Sequence, residues 1–147
     1  MRTRSFRGAL LAMVVAAAVA AGPAAWAQDE TFPFRADKAR LAADPHTVVV
    51  SGTYSCGPLD LDVVGGGGSV ELTVSQGQVQ GFGYAPVEVC DGSAKAFQAE
   101  VTTFGQPVFK RGGATLIAGG QIRGQRDDQD VTLVPSPRRQ RITIIRG

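Results

Sequence analysis

The feature that most constrains this chain is a two-residue alternation of apolar and polar side chains that recurs along its length. In HTVVVSGTYSC one face carries Val48, Val50, Tyr54 and Cys56, whereas the other face carries mainly serine and threonine. Because successive side chains of a strand point to opposite faces of a sheet, this pattern predicts a strand with one buried face. Similar alternation occurs in SVELTVSQG, KAFQAEVT, GGATLIAGGQI and RQRITIIRG. The prediction is an all-β domain in which no helix exceeds two turns.

Turn-forming residues separate these runs every 8–12 residues or so, which predicts about seven to nine short strands in a two-sheet, immunoglobulin-like sandwich. A small open barrel is the alternative. In QVQGFGYAPVEVC, an inward Cys90 would also send Glu88 inward, so we expect a β-bulge between Gly83 and Pro86. The side chains expected in the core are those on the apolar sides of the strands: Val50, Tyr54, Leu72, Val74, Phe97, Val101, Leu116 and Ile144.

The N-terminal 27 residues have the organisation of a secretory signal peptide. Three arginines precede an apolar run from Ala9 to Ala21, and Ala25-Trp26-Ala27 fits the small-x-small rule for cleavage after Ala27. The apolar run is shorter than the roughly 20 residues that span a bilayer. We therefore expect a signal peptide over residues 1–27 and a single domain over residues 28–147. The cleaved protein is expected to be secreted and to have no membrane span.

Charge is distributed unevenly along the chain. Removal of the signal peptide leaves 12 basic and 13 acidic residues, a net charge of −1. Residues 28–104 hold 4 basic and 10 acidic residues, whereas residues 105–147 hold 8 basic and 3 acidic ones. The two parts could attract each other within one fold, or the C-terminal part could form a basic face for an anionic surface.

Both cysteines, Cys56 and Cys90, belong to the exported part of the chain. An exported protein with an even number of cysteines pairs them in most cases, so we expect a disulfide that joins the two sheets. The closed loop of about 35 residues would stabilise the fold by roughly 3–4 kcal/mol in the chain-entropy description.

Four segments, VVVSGTYSCG, VCDG, FKRGGATLIAGG and RQRITIIRG, together resemble a group of small secreted actinobacterial β-domains of unknown function. The resemblance covers Ala36 to Gly147 and implies export, an immunoglobulin-like sandwich and one disulfide. It implies no activity and no catalytic residue. The chain departs from antibody domains in two respects: its only tryptophan, Trp26, lies in the signal peptide, and Glu88 stands where those domains place a tyrosine, two residues before Cys90.

The residues that could support catalysis are few, so we expect no enzyme, no cofactor and no catalytic residue. His46 is the only histidine and follows the turn at Asp44-Pro45, where a solvated surface position is the simpler interpretation. The glycine run Gly65–Gly68 lacks the following Lys and Ser/Thr of a phosphate-binding loop. One histidine and two paired cysteines cannot supply the four ligands of a zinc site.

Two groups of carboxylates are candidates for a cation site or an acid–base site. Asp60 and Asp62 alternate with apolar residues and are expected to face solvent. The segment RDDQD holds Asp127, Asp128 and Asp130 in a loop, but it lacks the spacing of a calcium-binding hand. Solvated carboxylates are the simpler interpretation at both places, and a weak cation site in the second loop is the alternative.

The C-terminal segment PSPRRQRITIIRG holds the candidate contact residues for an anionic surface: Arg138, Arg139, Arg141 and Arg146. It lacks the interleaved aromatic residues that stack on nucleic-acid bases, so no nucleic-acid partner is expected. The leading hypothesis is a secreted, non-enzymatic protein that binds at the cell envelope, with an anionic polymer as partner. The alternative is a carrier that holds a small apolar ligand in a cleft lined by four aromatic residues: Phe82, Tyr84, Phe104 and Phe109.

The signal peptide leads to a direct prediction. Mass spectrometry of the culture supernatant should find a chain that begins at Gln28, because the cleavage rule places the cut after Ala27. A variant with Ala25→Arg and Ala27→Arg should instead accumulate as the uncleaved precursor. Recovery of wild-type protein from the membrane fraction with an intact N-terminus would contradict the prediction.

Overall fold

The computed structural model describes residues 29–61, 68–105 and 107–147, so the predicted signal peptide lies outside it. The described residues form ten strands: β1 (Asp29–Leu41), β2 (Thr47–Ser55), β3 (Asp60–Leu61), β4 (Gly68–Gln76), β5 (Val79–Val87), β6 (Ala94–Thr103), β7 (Gly112–Gly119), β8 (Ile122–Arg126), β9 (Gln129–Ser136) and β10 (Arg139–Arg146). The all-β prediction is confirmed. Nowhere in the described ranges is there a helix of the length and hydrophobicity that crossing a membrane requires.

Seven of the strands close into a barrel, so the predicted immunoglobulin-like sandwich is wrong. Around the barrel the order is β1, β2, β6, β5, β4, β7 and β10. The closing contact is a short parallel pair in which Ala39, Arg40 and Leu41 of β1 lie beside Ile144, Ile145 and Arg146 of β10. All other pairs in the barrel are antiparallel. The open barrel considered as the alternative is nearer to the structure, but it lacks this closing pair.

The remaining three strands form an extension at one end of the barrel. The first half of β1, from Asp29 to Pro33, runs parallel to β9, and β9 pairs with β8. The two-residue strand β3 then pairs with the outer side of β8. Ile122 of β8 is buried and lies close to Gly68 at the start of β4, so the extension packs onto the barrel. Strand β1 therefore belongs to both sheets.

A β-bulge in β1 allows this double membership. The register of β1 against β2 shifts between Ala36 and Lys38, which leaves Asp37 as the extra residue. Ala36 is buried before the bulge and Ala39 after it, so the bulge keeps the apolar side chains of both halves inside. Gly52 of β2 lies opposite the bulge, where an added Cβ would be 2.8 Å from the Ala36 Cα. Glycine is required at this position because the two backbones approach so closely.

The side chain of Gln140 on β10 bonds to Ala36 of β1, where the backbones of the two strands are not paired. The Gln140 side-chain Nε2 donates to the Ala36 carbonyl oxygen at 2.6 Å, and the Ala36 N–H donates to Gln140 Oε1 at 3.0 Å. The amide of Gln140 thus replaces the backbone partner that a continuing strand would supply. Both polar groups of Ala36 are satisfied although the two strands pair only further along.

The core fills the barrel and confirms the predicted buried positions. All eight predicted residues have side chains that are at most 5% exposed: Val50, Tyr54, Leu72, Val74, Phe97, Val101, Leu116 and Ile144. Towards the extension, Phe34 stacks on Phe97 with ring centroids 4.5 Å apart. At the opposite end, the buried Phe109 lies against Gly81, whose missing side chain makes room for the ring.

The predicted disulfide between Cys56 and Cys90 is present, with Cα atoms 5.0 Å apart. The expectation that it joins the two sheets of a sandwich is wrong. Instead it connects the segment after β2 to the connection between β5 and β6, at the end of the barrel that faces the extension. Two backbone hydrogen bonds flank it: the Gly92 N–H donates to the Cys56 carbonyl at 2.8 Å, and the Leu59 N–H donates to the Cys90 carbonyl at 3.0 Å.

The predicted bulge between Gly83 and Pro86 is wrong. Strand β5 pairs with β4 without a shift from Val79 to Val87. The alternation of buried and exposed side chains is interrupted after the strand, where Glu88 and Val89 are both exposed before the buried Cys90. The additional residue therefore lies in the connection, where no ladder of hydrogen bonds has to be interrupted.

The bridge formed by Gln140 gives a stability prediction. Gln140→Ala should lower the free energy of unfolding by about 1–3 kcal/mol, because it leaves two partly buried backbone groups without partners. Gln98→Ala is the matched control, since Gln98 is exposed on β6, and should change stability by less than about 0.5 kcal/mol. Urea unfolding measures both. Equal midpoints for the two variants would contradict the bridging role.

Candidate functional site

The four candidate arginines lie along the last strand of the barrel and its preceding turn. Arg139 and Arg141 are exposed on the outer face of β10, on the opposite side from the buried Ile144. Arg138 is exposed in the turn before the strand, and Arg146 is exposed at its far end. From Arg139 to Arg146 the strand is about 23 Å long, so the four side chains form a row rather than a compact cluster.

Strand β1 adds two basic residues that the sequence alone does not single out. Lys38 and Arg40 are exposed on either side of the buried Ala39, and Arg40 pairs with Ile145 across the parallel contact. We call Lys38, Arg40, Arg139 and Arg141 the basic stripe. The segment KAR places Lys38 and Arg40 on either side of Ala39, but only the closure of the barrel brings them beside β10.

The ion pairs among the described residues include no member of the basic stripe, although one of them involves Asp37, the neighbour of Lys38 on β1. They join Arg35 to Asp37 at 3.3 Å, Lys95 to Asp91 at 2.7 Å and Arg126 to Glu30 at 3.1 Å. Strands β7 and β10 contain no acidic residue. Asp60 is exposed on β3 in the extension, and Asp62 lies outside the described residues. The basic stripe therefore presents its charge to solvent.

His46 has a structural setting at the other end of the barrel. Its Nδ1 lies 3.0 Å from Thr103 Oγ1, its carbonyl accepts from the Thr103 N–H at 2.9 Å, and its own N–H donates to Asp44 Oδ1 at 3.0 Å. The neighbouring Pro45 carbonyl accepts from the Phe109 N–H at 3.1 Å. These contacts hold the turn between β1 and β2 against the loop that carries Phe109.

The RDDQD carboxylates that were candidate cation ligands lie in and beside the turn between β8 and β9. Asp127 and Asp128 occupy the tight turn between β8 and β9 with φ of 51° and 59°, and Asp130 accepts a hydrogen bond from Gln125 at 3.1 Å. Across residues 29–61, 68–105 and 107–147, no group of three His, Cys, Asp or Glu side chains is arranged to hold a metal ion. Gly65 to Gly67 lie outside the described residues, and Gly68 begins β4.

The four aromatic residues expected to line a ligand cleft do not converge. Phe109 is buried inside the barrel, whereas Phe104 is 85% exposed in the loop after β6. Phe82 and Tyr84 project from the outer face of β5, with 48% and 65% exposure. Phe82 and Tyr84 are two residues apart and share this face, so their Cα atoms are about 7 Å apart along the strand.

The best-defined electrostatic arrangement lies beside the disulfide. Asp91 accepts from Lys95 Nζ at 2.7 Å, from the Ser93 hydroxyl at 2.7 Å and from the Ser93 N–H at 2.9 Å. The Lys95 ammonium and then the two Ser93 donors hold the pKa of the Asp91 carboxyl well below its usual range. The carboxylate orders the turn that leads from Cys90 into β6.

Comparison with known proteins finds no matching family model, no similar curated protein and no similar solved structure. On the outer surface of the barrel, the basic stripe brings four cationic side chains together on two neighbouring strands.

The Asp91 arrangement gives a prediction for pH. Because the folded-state pKa is lowered, the carboxylate stabilises the fold above the unfolded pKa of about 3.9, and this stabilisation is lost as pH falls towards the folded value. A carboxyl NMR titration should place the Asp91 midpoint below that of a model peptide. Lys95→Met should raise the midpoint, whereas Lys110→Met should leave it unchanged. A wild-type Asp91 titration midpoint of about 3.9 would contradict the arrangement.

Proposed function

We propose that the protein is an exported, non-enzymatic binding protein that holds an anionic polymer of the cell envelope along its basic stripe. The observation that carries this proposal is the exposure of Lys38, Arg40, Arg139 and Arg141 on two adjacent strands, where none of the four takes part in an ion pair among the described residues. Arg138 and Arg146 extend the row at its two ends.

The shape of the stripe suits a linear polyanion better than a small anion. The basic residues follow one strand pair for about 23 Å, whereas a compact anion site would need donors that converge on one point. Between them lie Thr143 and the half-exposed Ile145, which leave the surface open along its length. Strands β7 and β10 contribute no carboxylate that would repel a polyanion, and Asp37 of β1 is paired with Arg35 at 3.3 Å.

Export rests on two independent supports. The N-terminal arginines, the apolar run and the Ala25-Trp26-Ala27 segment are those of a signal peptide. The disulfide between Cys56 and Cys90 is compatible with an oxidising compartment outside the cytosol. An envelope polymer is then among the polyanions that the exported protein meets.

The alternative, a carrier for a small apolar ligand, has less support. Buried side chains occupy the barrel interior, among them Leu72, Leu116 and Phe109. The aromatic residues expected to line a cleft project in different directions or lie in the core. A carrier would therefore need a cavity made by movement of packed residues.

The proposal predicts that charge reversal on the stripe weakens retention on polyanions. Arg139→Glu and Arg141→Glu should each elute from immobilised heparin and from isolated host envelopes at a lower salt concentration than the wild type. The reason is that each reversal replaces an attraction by a repulsion. Retention of the wild type should fall steeply with salt, as the Debye length shrinks from about 10 Å at 0.1 M to about 3 Å at 1 M.

Arg123→Glu provides the matched control, because it makes the same change of net charge on an exposed residue of β8 in the extension. It should elute at almost the wild-type salt concentration. Equal losses for Arg123→Glu and Arg141→Glu would show that net charge alone governs retention and would overturn the assignment of the stripe.

A further inference from the structure

The face of the barrel opposite the basic stripe carries aromatic and acidic side chains. Phe82 and Tyr84 project from β5, and Tyr84 pairs with the exposed Glu71 of β4. On the other side of β5, Gly83 pairs with Val101 of β6, and the next outward positions on these two strands are Tyr84 and Glu100. We call Glu71, Phe82, Tyr84 and Glu100 the aromatic–acidic face.

The strand order places the two faces on opposite sides of the barrel. In one direction around the barrel from β5, the next strands are β6, β2 and then β1. In the other direction they are β4, β7 and then β10. The centre of the aromatic–acidic face is therefore opposite the β1–β10 pair that carries the basic stripe. Strands β4 and β5 contain no basic residue, just as β7 and β10 contain no acidic one.

The two faces are complementary in chemistry. Guanidinium groups stack on the faces of tyrosine and phenylalanine rings and pair with carboxylates, and arginine, tyrosine and phenylalanine are enriched at protein interfaces. The aromatic–acidic face offers two such rings, and the strands on either side of β5 carry one glutamate each, Glu71 on β4 and Glu100 on β6. The basic stripe offers three guanidinium groups and one ammonium group on a strand pair with the half-exposed Ile145 between them.

We propose that the aromatic–acidic face of one molecule binds the basic stripe of a second copy, so that the molecules associate head to tail. Because the two faces point in opposite directions, a dimer leaves one face of each kind free. Contacts of this heterologous type continue into a chain unless a rotation closes them into a ring. The association uses the same stripe as the proposed function but not the proposed polymer.

Sedimentation velocity at low salt tests the association. The wild-type protein should show an average mass that rises with concentration beyond that of a dimer, and it should return to a monomer in 1 M NaCl because the contacts are mainly electrostatic. A wild-type protein that stays monomeric at low salt and millimolar concentration overturns the proposal. A mass that stops at the dimer also overturns it, since that result indicates a symmetric contact.

A mixing experiment tests the head-to-tail arrangement itself. One variant, Glu71→Gln/Glu100→Gln, loses the charge of the aromatic–acidic face, and the other, Arg139→Gln/Arg141→Gln, loses two charges of the basic stripe. Each should sediment as a monomer where the wild type assembles. An equimolar mixture should form a dimer that grows no further, because only one intact face of each kind remains. A mixture that stays monomeric contradicts the arrangement.

The same variants separate this inference from the proposed function. Glu71→Gln/Glu100→Gln should keep wild-type retention on immobilised heparin while it loses self-association, because the basic stripe is unchanged. Tyr84→Ala should weaken self-association at least tenfold by removing the stacking surface. A monomeric wild type that is nevertheless captured by immobilised poly-L-lysine would assign the aromatic–acidic face to another cationic partner and overturn the second copy as its occupant.

Discussion

The structure depends on strand β1, which is shared between the barrel and its three-stranded extension. A single inserted residue, Asp37, shifts the side chains of β1 so that Ala36 and Ala39 can both point inward. Without that shift, one half of the strand would turn its apolar side chains to solvent. The amide of Gln140 then fills the gap where β1 leaves β10, and the parallel pair closes the barrel just beyond it.

The sequence predicts which face of a strand is buried far better than which strand is its neighbour. Alternation identified the buried residues of β2, β4, β6, β7 and β10 because burial depends on side chains within one strand. Closure depends on a pair between Ala39 and Ile144, more than 100 residues apart, and no local pattern encodes it. Strand β1 itself was not predicted because Pro33 interrupts its apolar residues and the bulge at Asp37 changes their spacing.

The same distinction applies to the candidate site. Alternation alone places Arg139 and Arg141 on one side of their strand, and the structure has both on the outer face. That Lys38 and Arg40 extend this row could not be predicted, because it follows from the closing pair of strands. The position of β5 opposite that pair follows from the number of strands in the barrel, which no single segment determines. Surface sites built across strands are therefore the last features that a sequence reveals.

Closure also explains why both proposals concern the outer surface. Each strand of the barrel has a neighbour on both sides, the described sheet ends at β3 in the extension, and packed side chains fill the barrel interior. If an anionic polymer and the aromatic–acidic face of a second copy both bind the basic stripe, they exclude each other. Ligands that compete for one site shift its occupancy according to their concentrations and affinities. A polymer in excess would then separate the chains of molecules into single molecules that coat it, whereas scarce polymer would leave them assembled.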